Sequence, residues 1–489
     1  MTKKTLCITA LCAVCFLTMF LQQRCTTIQA EQFAQTSSCY CGGQVMPFNN
    51  QLPNFSILNQ TMADCFGWQE FIALNQPVDT NKGFGDPNDL GLVQWETYMP
   101  TYAIFRKGAK PPYPWRSQGD LPSGANAKKF RSGKYLVLED NQKVPKGFSS
   151  NQVVLNNNPA WLGAQNGTNV WYEVLVNEVE YDYIVNNHLY NADSQYFRSF
   201  AGNKIFLPEN AMEVKAAWME LSPEDTTQPR YNNIKQRFKL SLAYVQDSPG
   251  GKHRETVVAL IGLHIIRKVP GQSSLVWATF EQADNNLALD NTIPHPLGYN
   301  LYNSNCAAQN LNVKTVAGHD TSVTIACAPN VQPPYYLVRG NEPAPIQTSR
   351  TTMVGLTEIS TNNRIIACIQ QVNPSSVWQY YRLINTIWSS NDTPDSSNKN
   401  NLDSMTVSSI NPPIVSFVAN TTLETYNQST NCLNSCHKFA TTARPSFDTD
   451  KQRQTPGYLA DFSFVFGLAK TAKSSSLPKA GHHSSTGIK

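Results

Sequence analysis

Two cysteines and a histidine near the C-terminus have a spacing suited to covalent chemistry. Cys432 and Cys436 are separated by Leu-Asn-Ser, and His437 follows directly. Proteins attach c-type haem by adding two thiols to the porphyrin vinyl groups while the next imidazole ligates iron, usually with the spacing Cys-x-x-Cys-His. The extra residue here would rotate His437 on a helix by about 100° relative to Cys432. The pattern therefore indicates haem c with His437 as proximal ligand, attached through both cysteines or through Cys436 alone.

The same three residues allow two other interpretations. Two cysteines four positions apart in an exported protein can form a small-loop disulfide, and the histidine beside them can be an ordinary surface residue. A zinc site is the weaker alternative, because no fourth ligand follows at a recognisable interval. The spacing by itself leaves the disulfide and the haem open.

No methionine downstream of the motif can serve as the sixth ligand of the iron. Met405 is the last methionine of the chain, and the histidines beyond His437 lie in the polar tail. The iron is therefore either five-coordinate or bound by a distal ligand from upstream. We name His264 as that candidate, because it lies in an otherwise apolar predicted strand; Met405 and His295 are weaker alternatives. A single histidine on a strand is also commonly a hydrogen-bonded core residue.

A predicted hairpin around His264 carries further polar groups. Alternation on strands puts His264 and Lys268 on one face, and it puts Trp277, Thr279 and Glu281 on one face of the partner strand. If the two faces coincide, a histidine, a lysine and a glutamate converge. Such a set forms either a pocket or a salt-bridged sheet face.

The remaining pattern is mostly typical of strands, with fewer helices. Aromatic and β-branched runs bounded by turn residues predict strands at 170–184 (where a helix after the first few positions is also allowed), 212–221, 257–268 and 275–281. Helical spacing predicts helices at 62–74, 377–388 and 423–440. We expect an α+β fold with a large antiparallel β-rich body and helical additions at its N-terminal and C-terminal ends.

The chain begins like an exported protein. Lys3 and Lys4 precede an apolar run at 6–21, and a cleavage point after Ala30 is consistent with a secretory signal. The run is near the lower length limit for a membrane-spanning helix, so an uncleaved anchor is the main alternative. A lipid-anchored Cys25 is the weaker one, because large or charged residues precede it. Composition shifts then predict this division of the chain: a signal peptide at 1–30, a β-rich body at 31–388, a flexible Ser/Asn-rich linker at 389–404, a haem-bearing segment at 405–470 and a disordered tail at 471–489.

Composition narrows the possible partners and the cellular compartment. Charged residues make up 15% of the chain and the net charge is +4, so no basic surface for nucleic acid is expected. Beyond the signal, no stretch approaches membrane-spanning length. The cysteines beyond residue 30 are even in number, which favours disulfides in an oxidising compartment. Cys306 with Cys327, and Cys39 or Cys41 with Cys65, are candidate pairs.

The C-terminal segment is too apolar to fold alone. It includes Leu423, Tyr426 and Leu433, and a run in which Phe462, Phe464 and Phe466 alternate as a strand would. We therefore predict that it docks on the β body, with these phenylalanines facing either a haem edge or the sheet.

Motifs spread over most of the chain resemble bacterial exported proteins of the cytochrome c family. The residues that carry the likeness lie at 64–75, 95–98, 171–179, 213–218, 262–268, 277–281, 377–382, 419–426, 432–437 and 461–464. The resemblance implies haem for the matching Cys436 and His437. The inserted residue between the cysteines departs from the family's Cys-x-x-Cys-His.

These observations combine into one interpretation with two alternatives. The chain is expected to be a periplasmic or secreted c-type haem protein that transfers electrons to an unidentified redox partner. Five-coordinate iron would instead indicate a haem enzyme. A disulfide between Cys432 and Cys436 would indicate a haem-free surface or binding protein.

Overall fold

The computed structural model describes most of the chain between Cys39 and residue 472. The described residues are 39–117, 119–138, 162–246, 252–272, 274–286, 294–314, 320–325, 327–331, 345–388, 418–429, 437, 440–447 and 458–472. The chain divides into two compact units, at 1–46 and 47–489. In the first unit, β1 (Tyr40–Cys41) and β2 (Gln44–Val45) form a short antiparallel hairpin.

The second unit combines helices with a large sheet. Its helices are α1 (Gln60–Leu74), α2 (Thr101–Ile104), α3 (Ala127–Phe130), α4 (Glu178–Asn186), α5 (Ala192–Phe200), α6 (Arg230–Lys235) and α7 (Leu356–Val372). Its strands are β3 (Met99–Pro100), β4 (Tyr135–Leu138), β5 (Val170–Val176), β6 (Met212–Glu220), β7 (Leu240–Gln246), β8 (His253–Lys268), β9 (Leu275–Gln282), β10 (Gln309–Lys314), β11 (Asp320–Ile325) and β12 (Tyr381–Ile387).

Strand β8 is the centre of an eight-stranded sheet. The order β12-β9-β8-β6-β5-β3 is antiparallel throughout, while β7 pairs with β8 and, in parallel, with β4. Because β8 is sixteen residues long, one of its edges pairs first with β7 and then with β9. A separate hairpin consists of β10 and β11.

Helix α1 covers one face of this sheet. The side chain of Asn59 caps its N-terminus by accepting a hydrogen bond from the Met62 amide. Gly67 allows close contact with the sheet, because a Cβ there would lie 2.8 Å from the Cβ of Ala278. The helix is buried along almost its whole length, so it forms part of the core.

The predicted fold class is confirmed, and so are most of the predicted strands. The α+β fold has its antiparallel sheet, the helix predicted at 62–74 is α1, and the strands predicted at 212–221, 257–268 and 275–281 are β6, β8 and β9. The stretch 170–184 divides into strand β5 and helix α4.

One helix prediction is wrong, and a second is wrong in the part that the structure describes. Residues 377–388 form one 3₁₀ turn followed by strand β12. Every residue of β12 is buried. The strand therefore has no exposed face, and its pattern of apolar residues does not distinguish a strand from a helix. Residues 421–429 form turns, and much of the remaining helix predicted at 423–440 lies outside the described residues.

Disulfides are present, as expected. Cys306 and Cys327 are bonded, with their Cα atoms 5.8 Å apart, which confirms that predicted pair. Cys39, Cys41, Cys65 and Cys368 are also disulfide-bonded. In the part of the chain that the structure describes, no helix has both the length and the apolar character needed to cross a membrane.

Candidate functional site

The two faces of the predicted hairpin coincide. His264 lies opposite Thr279, Gly262 opposite Glu281, and Ile266 opposite Trp277. On the other side of β8, Lys215 of β6 lies opposite His264. Because partners in an antiparallel pair point to the same side, these residues share one face, which is opposite to the face that α1 covers.

The three ionisable residues of the hairpin face, His264, Lys268 and Glu281, do not form ion pairs with one another. His264 Nε2 lies 2.7 Å from Oε1 of Glu424. Lys268 Nζ lies 3.0 Å from Asp461. Oε1 of Glu281 lies 2.6 Å from Nη2 of Arg350. The face is therefore salt-bridged rather than an open pocket, and each partner comes from outside the hairpin.

Residues 418–429, the first covering segment, are fixed to this face by hydrogen bonds. The side-chain amide of Asn420 donates to the Thr279 hydroxyl and to the Phe280 carbonyl. Glu281 accepts from both the amide and the hydroxyl of Thr421. Gly262 leaves the space that Thr422 fills, since a Cβ there would lie 2.0 Å from the Thr422 hydroxyl oxygen.

Residues 458–472, the second covering segment, enter the same face through an unusual turn. Asp461 and Phe462 both have positive φ values, 46° and 66°, a conformation that non-glycine residues rarely adopt outside constrained sites. The Asp461 carboxylate accepts from Lys268 and from the Leu207 amide, which holds the turn in place. Ser463 hydrogen-bonds to Glu213 of β6.

These contacts confirm the predicted docking for the described residues of the C-terminal segment. The predicted strand through Phe462, Phe464 and Phe466 is wrong, because a 3₁₀ helix begins at Phe464 and runs to Leu468. Phe462 and Phe466 are buried in the core with Trp277, whereas Phe464 contacts His437. The predicted contact of these phenylalanines with the sheet is therefore present, but the three side chains do not lie on one face of a strand.

His437 lies against the second covering segment and the sheet. Its Nδ1 is 2.7 Å from the Phe462 carbonyl oxygen. Its ring contacts the edges of two aromatic side chains, with centroid distances of 4.6 Å to Trp277 and 4.7 Å to Phe464. Burial lowers the pKa of His437 to about 4, and the positive charges of Lys215 and His264 act in the same direction. The imidazole is therefore neutral at physiological pH, which is the form that ligates metals.

His264 lies on the same side of the sheet as His437. Burial alone would raise the pKa of Glu424, but the charge and hydrogen bond of His264 keep it below its usual range. Glu424 is therefore an ionised acceptor, and Nε2 of His264 carries the donated proton. The other ring nitrogen, Nδ1, is buried with no hydrogen-bond partner among the described residues.

The other candidate ligands divide into two groups. His295 is engaged elsewhere, with Nδ1 2.6 Å from Asp284. Met405, Cys432 and Cys436 lie outside the described residues. Within the described residues, no group of three or more His, Cys, Asp or Glu side chains is placed to hold a metal ion.

One cluster was not predicted from the sequence. Glu180 of α4, Glu213 of β6 and Asp461 of the second covering segment are buried carboxyl groups whose charges act on one another. Burial raises the pKa of Glu213 to about 7 and, with the charges of Glu213 and Asp461, raises that of Glu180 well above its usual range. Neither α4 nor β6 is otherwise apolar, so no feature of the sequence sets these residues apart, and they lie far apart in the chain.

Compared with family models, with curated proteins and with solved structures, the chain matches none. The likeness to exported cytochrome c proteins therefore stays a prediction based on sequence motifs.

Proposed function

We propose that this protein is an exported c-type haem protein, with His437 as proximal iron ligand and with Cys436 forming a thioether bond to the haem whether or not Cys432 forms a second one. The observation that carries the proposal is the hydrogen bond from Nδ1 of His437 to the Phe462 carbonyl oxygen. Metal-ligating histidines almost always donate one ring N–H to a carbonyl or carboxylate, which fixes the tautomer and leaves the other nitrogen for the metal. A strained turn at Asp461 and Phe462 aims that carbonyl at the ring.

The residues present fit such a ligand. His437 is neutral because burial disfavours its charged form, and Trp277 and Phe464 surround it with apolar surface. Export is supported by the disulfide between Cys306 and Cys327, since such bonds persist in oxidising compartments.

Electron transfer is the role that we assign to this haem. A bound haem would supply a one-electron couple, and the aromatic side chains of Trp277 and Phe464 would shield one side of His437 from water. His264 remains the candidate distal ligand: in its neutral form Nε2 would donate to Glu424, and the unpartnered Nδ1 would be the nitrogen available for ligation. If the iron is five-coordinate instead, the open position favours a haem enzyme acting on a small oxidant.

A haem-free binding protein is the second candidate. It is favoured by the contact of Glu424 with His264 and by the packing of His437 between two aromatic rings, since both are also typical of core histidines. In that case Cys432 and Cys436 form a disulfide.

The visible absorption spectrum of protein exported from a host with c-type haem maturation tests the proposal. We expect a Soret band that stays with the protein after denaturation. Cys436→Ser should abolish covalent haem, whereas Cys432→Ser should retain part of it. His437→Ala should lose the proximal ligand, while His188→Ala, at an exposed histidine, should leave the spectrum unchanged. Wild-type protein without a Soret band would contradict the proposal.

A further inference from the structure

Helix α5 has its polar and apolar sides reversed relative to an ordinary surface helix. Its buried residues are Ala192, Gln195 and Ser199. Phe197 and Phe200, by contrast, are 58% and 66% exposed. A surface helix normally turns its apolar side toward the core, so α5 presents to solvent the side that is usually covered.

The buried side of α5 is fixed by hydrogen bonds. The side-chain nitrogen of Gln195 donates to the carbonyl oxygens of Leu189 and Phe466. Its side-chain oxygen accepts from the Ala443 amide. A rotation of the helix that buried the phenylalanines would break these bonds and leave polar groups unsatisfied. The aromatic side of α5 therefore stays outward in the folded chain.

The stretch at 440–447 extends this aromatic surface. Asp193, in the first turn of α5, accepts hydrogen bonds from the amide and the hydroxyl of Ser446. The next residue, Phe447, is 50% exposed. Its ring centroid lies 4.9 Å from that of Tyr196 and 5.7 Å from that of Phe197. The hydrogen bonds of Asp193 thus hold a third exposed phenylalanine against the helix.

Tyr196 lies at the centre of the aromatic surface. Its ring stacks on that of Phe200, with the centroids 6.0 Å apart, and its centroid lies 5.5 Å from that of Tyr458. We call Tyr196, Phe197, Phe200, Phe447 and Tyr458 the aromatic patch. Its three phenylalanines expose roughly 350 Å² of apolar surface, since a whole aromatic side chain accounts for about 200 Å². Contiguous patches of this size mark interaction sites on soluble proteins.

The stretches of this chain nearest to the patch in sequence lack the side chains to cover it. Residues 448–457 lie between Phe447 and Tyr458 and contain no large apolar residue. The chain beyond residue 472 follows Lys470, which pairs with Asn191 at the start of α5, and its large apolar residues are limited to positions 477 and 488. The patch therefore suits a partner outside this chain.

The composition of the patch narrows the kind of partner. Its exposed phenylalanines have no hydrogen-bonding group, unlike the polar groups that orient small ligands in their sites. Helix α5 carries an acidic residue, Asp193, in its first turn and a basic residue, Arg198, in its last. It has no excess of the positive charge that attracts anionic lipid. The fitting partner is a protein surface that is itself aromatic and carries both charges.

We propose that the aromatic patch is the contact surface between two copies of this chain, with α5 packed antiparallel on α5 of the partner about a two-fold axis. The same patch then lies on both sides of the contact, as two-fold symmetry requires. The acidic end of each helix faces the basic end of the other, and the antiparallel helix dipoles attract. The inference does not rest on haem attachment.

The size of the patch predicts a reversible dimer. Two copies would bury roughly 700 Å² of phenylalanine surface between them. With a polar rim the contact reaches about 1,000 Å², the lower limit for a specific interface. Association in the micromolar range is therefore expected.

Sedimentation velocity of the purified full-length protein over a series of concentrations tests the proposal. We expect the sedimentation coefficient to rise from that of a monomer to that of a dimer, with a dissociation constant of about 10 μM. Phe197→Ser and Phe200→Ser should each weaken association about tenfold or more, because central aromatic residues carry most of the energy of an interface. Both residues are largely exposed in the single chain, so the thermal unfolding midpoint of the dilute protein should not change.

Leu356→Ser, at an exposed leucine of α7, is the matched control and should leave the dissociation constant unchanged. A wild-type protein that stays monomeric throughout the series would overturn the proposal. So would a dimer that both phenylalanine variants form as tightly as the wild type, or one that Leu356→Ser weakens equally. Binding of the monomer to phosphatidylglycerol vesicles, abolished by Phe200→Ser, would assign the patch to a membrane surface instead.

Discussion

The two faces of the central sheet are covered in contrasting ways. On one face, α1 packs aromatic rings against β9 and β12. Phe71 lies 4.4 Å from Phe280 between ring centroids, and Trp68 lies 5.1 Å from Phe280. Neighbouring contacts extend this cluster to Trp378 and Tyr381.

The opposite face is covered by the two C-terminal segments through charged and hydroxyl groups. Arg350 and Glu281 are completely buried there, and His264 and Lys268 each meet a carboxylate from a covering segment. Apolar contact also exists, since Trp277 and Phe466 share a core cluster. Polar contacts nevertheless determine where the segments lie.

This difference separates stability from positioning. Aromatic packing gains free energy from burial and tolerates small shifts, whereas a buried ion pair adds little net stability but penalises every arrangement that leaves one charge unpaired. We infer that the helix-covered face supplies stability and that the segment-covered face fixes the position of His437.

The largest effect is expected on the helix-covered face. Phe280→Ala should lower the free energy of unfolding by about 3–5 kcal/mol, because it removes a ring that two aromatic neighbours contact and leaves a cavity. Thr279→Ala, the adjacent residue on the other face, removes one hydrogen bond from Asn420 and should cost about 1 kcal/mol. Denaturant unfolding measures both. Equal losses of unfolding free energy in the two variants would contradict the proposed difference between the two faces of the sheet.

A smaller loss is expected when the buried ion pair of the other face is broken. Arg350→Met leaves Glu281 as an unpaired buried carboxylate and should cost about 3 kcal/mol. Adding Glu281→Leu should restore part of that loss, because it removes the unpaired charge. The restoration is incomplete, because the Thr421 amide and hydroxyl then lose their acceptor. If the double variant is as unstable as Arg350→Met, then the pair itself supplies stability.

The smallest effect should be local. Gly262→Ala introduces a methyl group into the position of the Thr422 hydroxyl, so the first covering segment must shift, at a cost of about 1–3 kcal/mol. Proteolysis within 418–429 should become faster while α1 stays protected. Thr422→Ala in the same chain should relieve part of the clash. Unchanged proteolysis would mean that the segment adapts without moving away.

The sequence predicted local structure where a run of apolar residues ends in turn residues. Strands β8 and β9 were found because Val-Pro-Gly-Gln-Ser-Ser separates two apolar runs. Strand β12 was predicted as a helix because burial on all sides removes the alternation that distinguishes a strand.

The candidate site was predicted only in part. The faces of the hairpin followed from alternation, but the partners of His264 and Lys268 lie 160 and 193 residues away, and nothing in a single sequence specifies such pairs. The left-handed turn at Asp461 and Phe462 also had no signal, since neither residue is glycine.

Mass spectrometry of the peptide that ends at Lys438, released from protein exported with c-type haem maturation, tests the central claim most directly. We predict a haem adduct on Cys436, with Cys432 either bound to the same haem or free. A haem-free peptide with a disulfide between Cys432 and Cys436 would contradict the account.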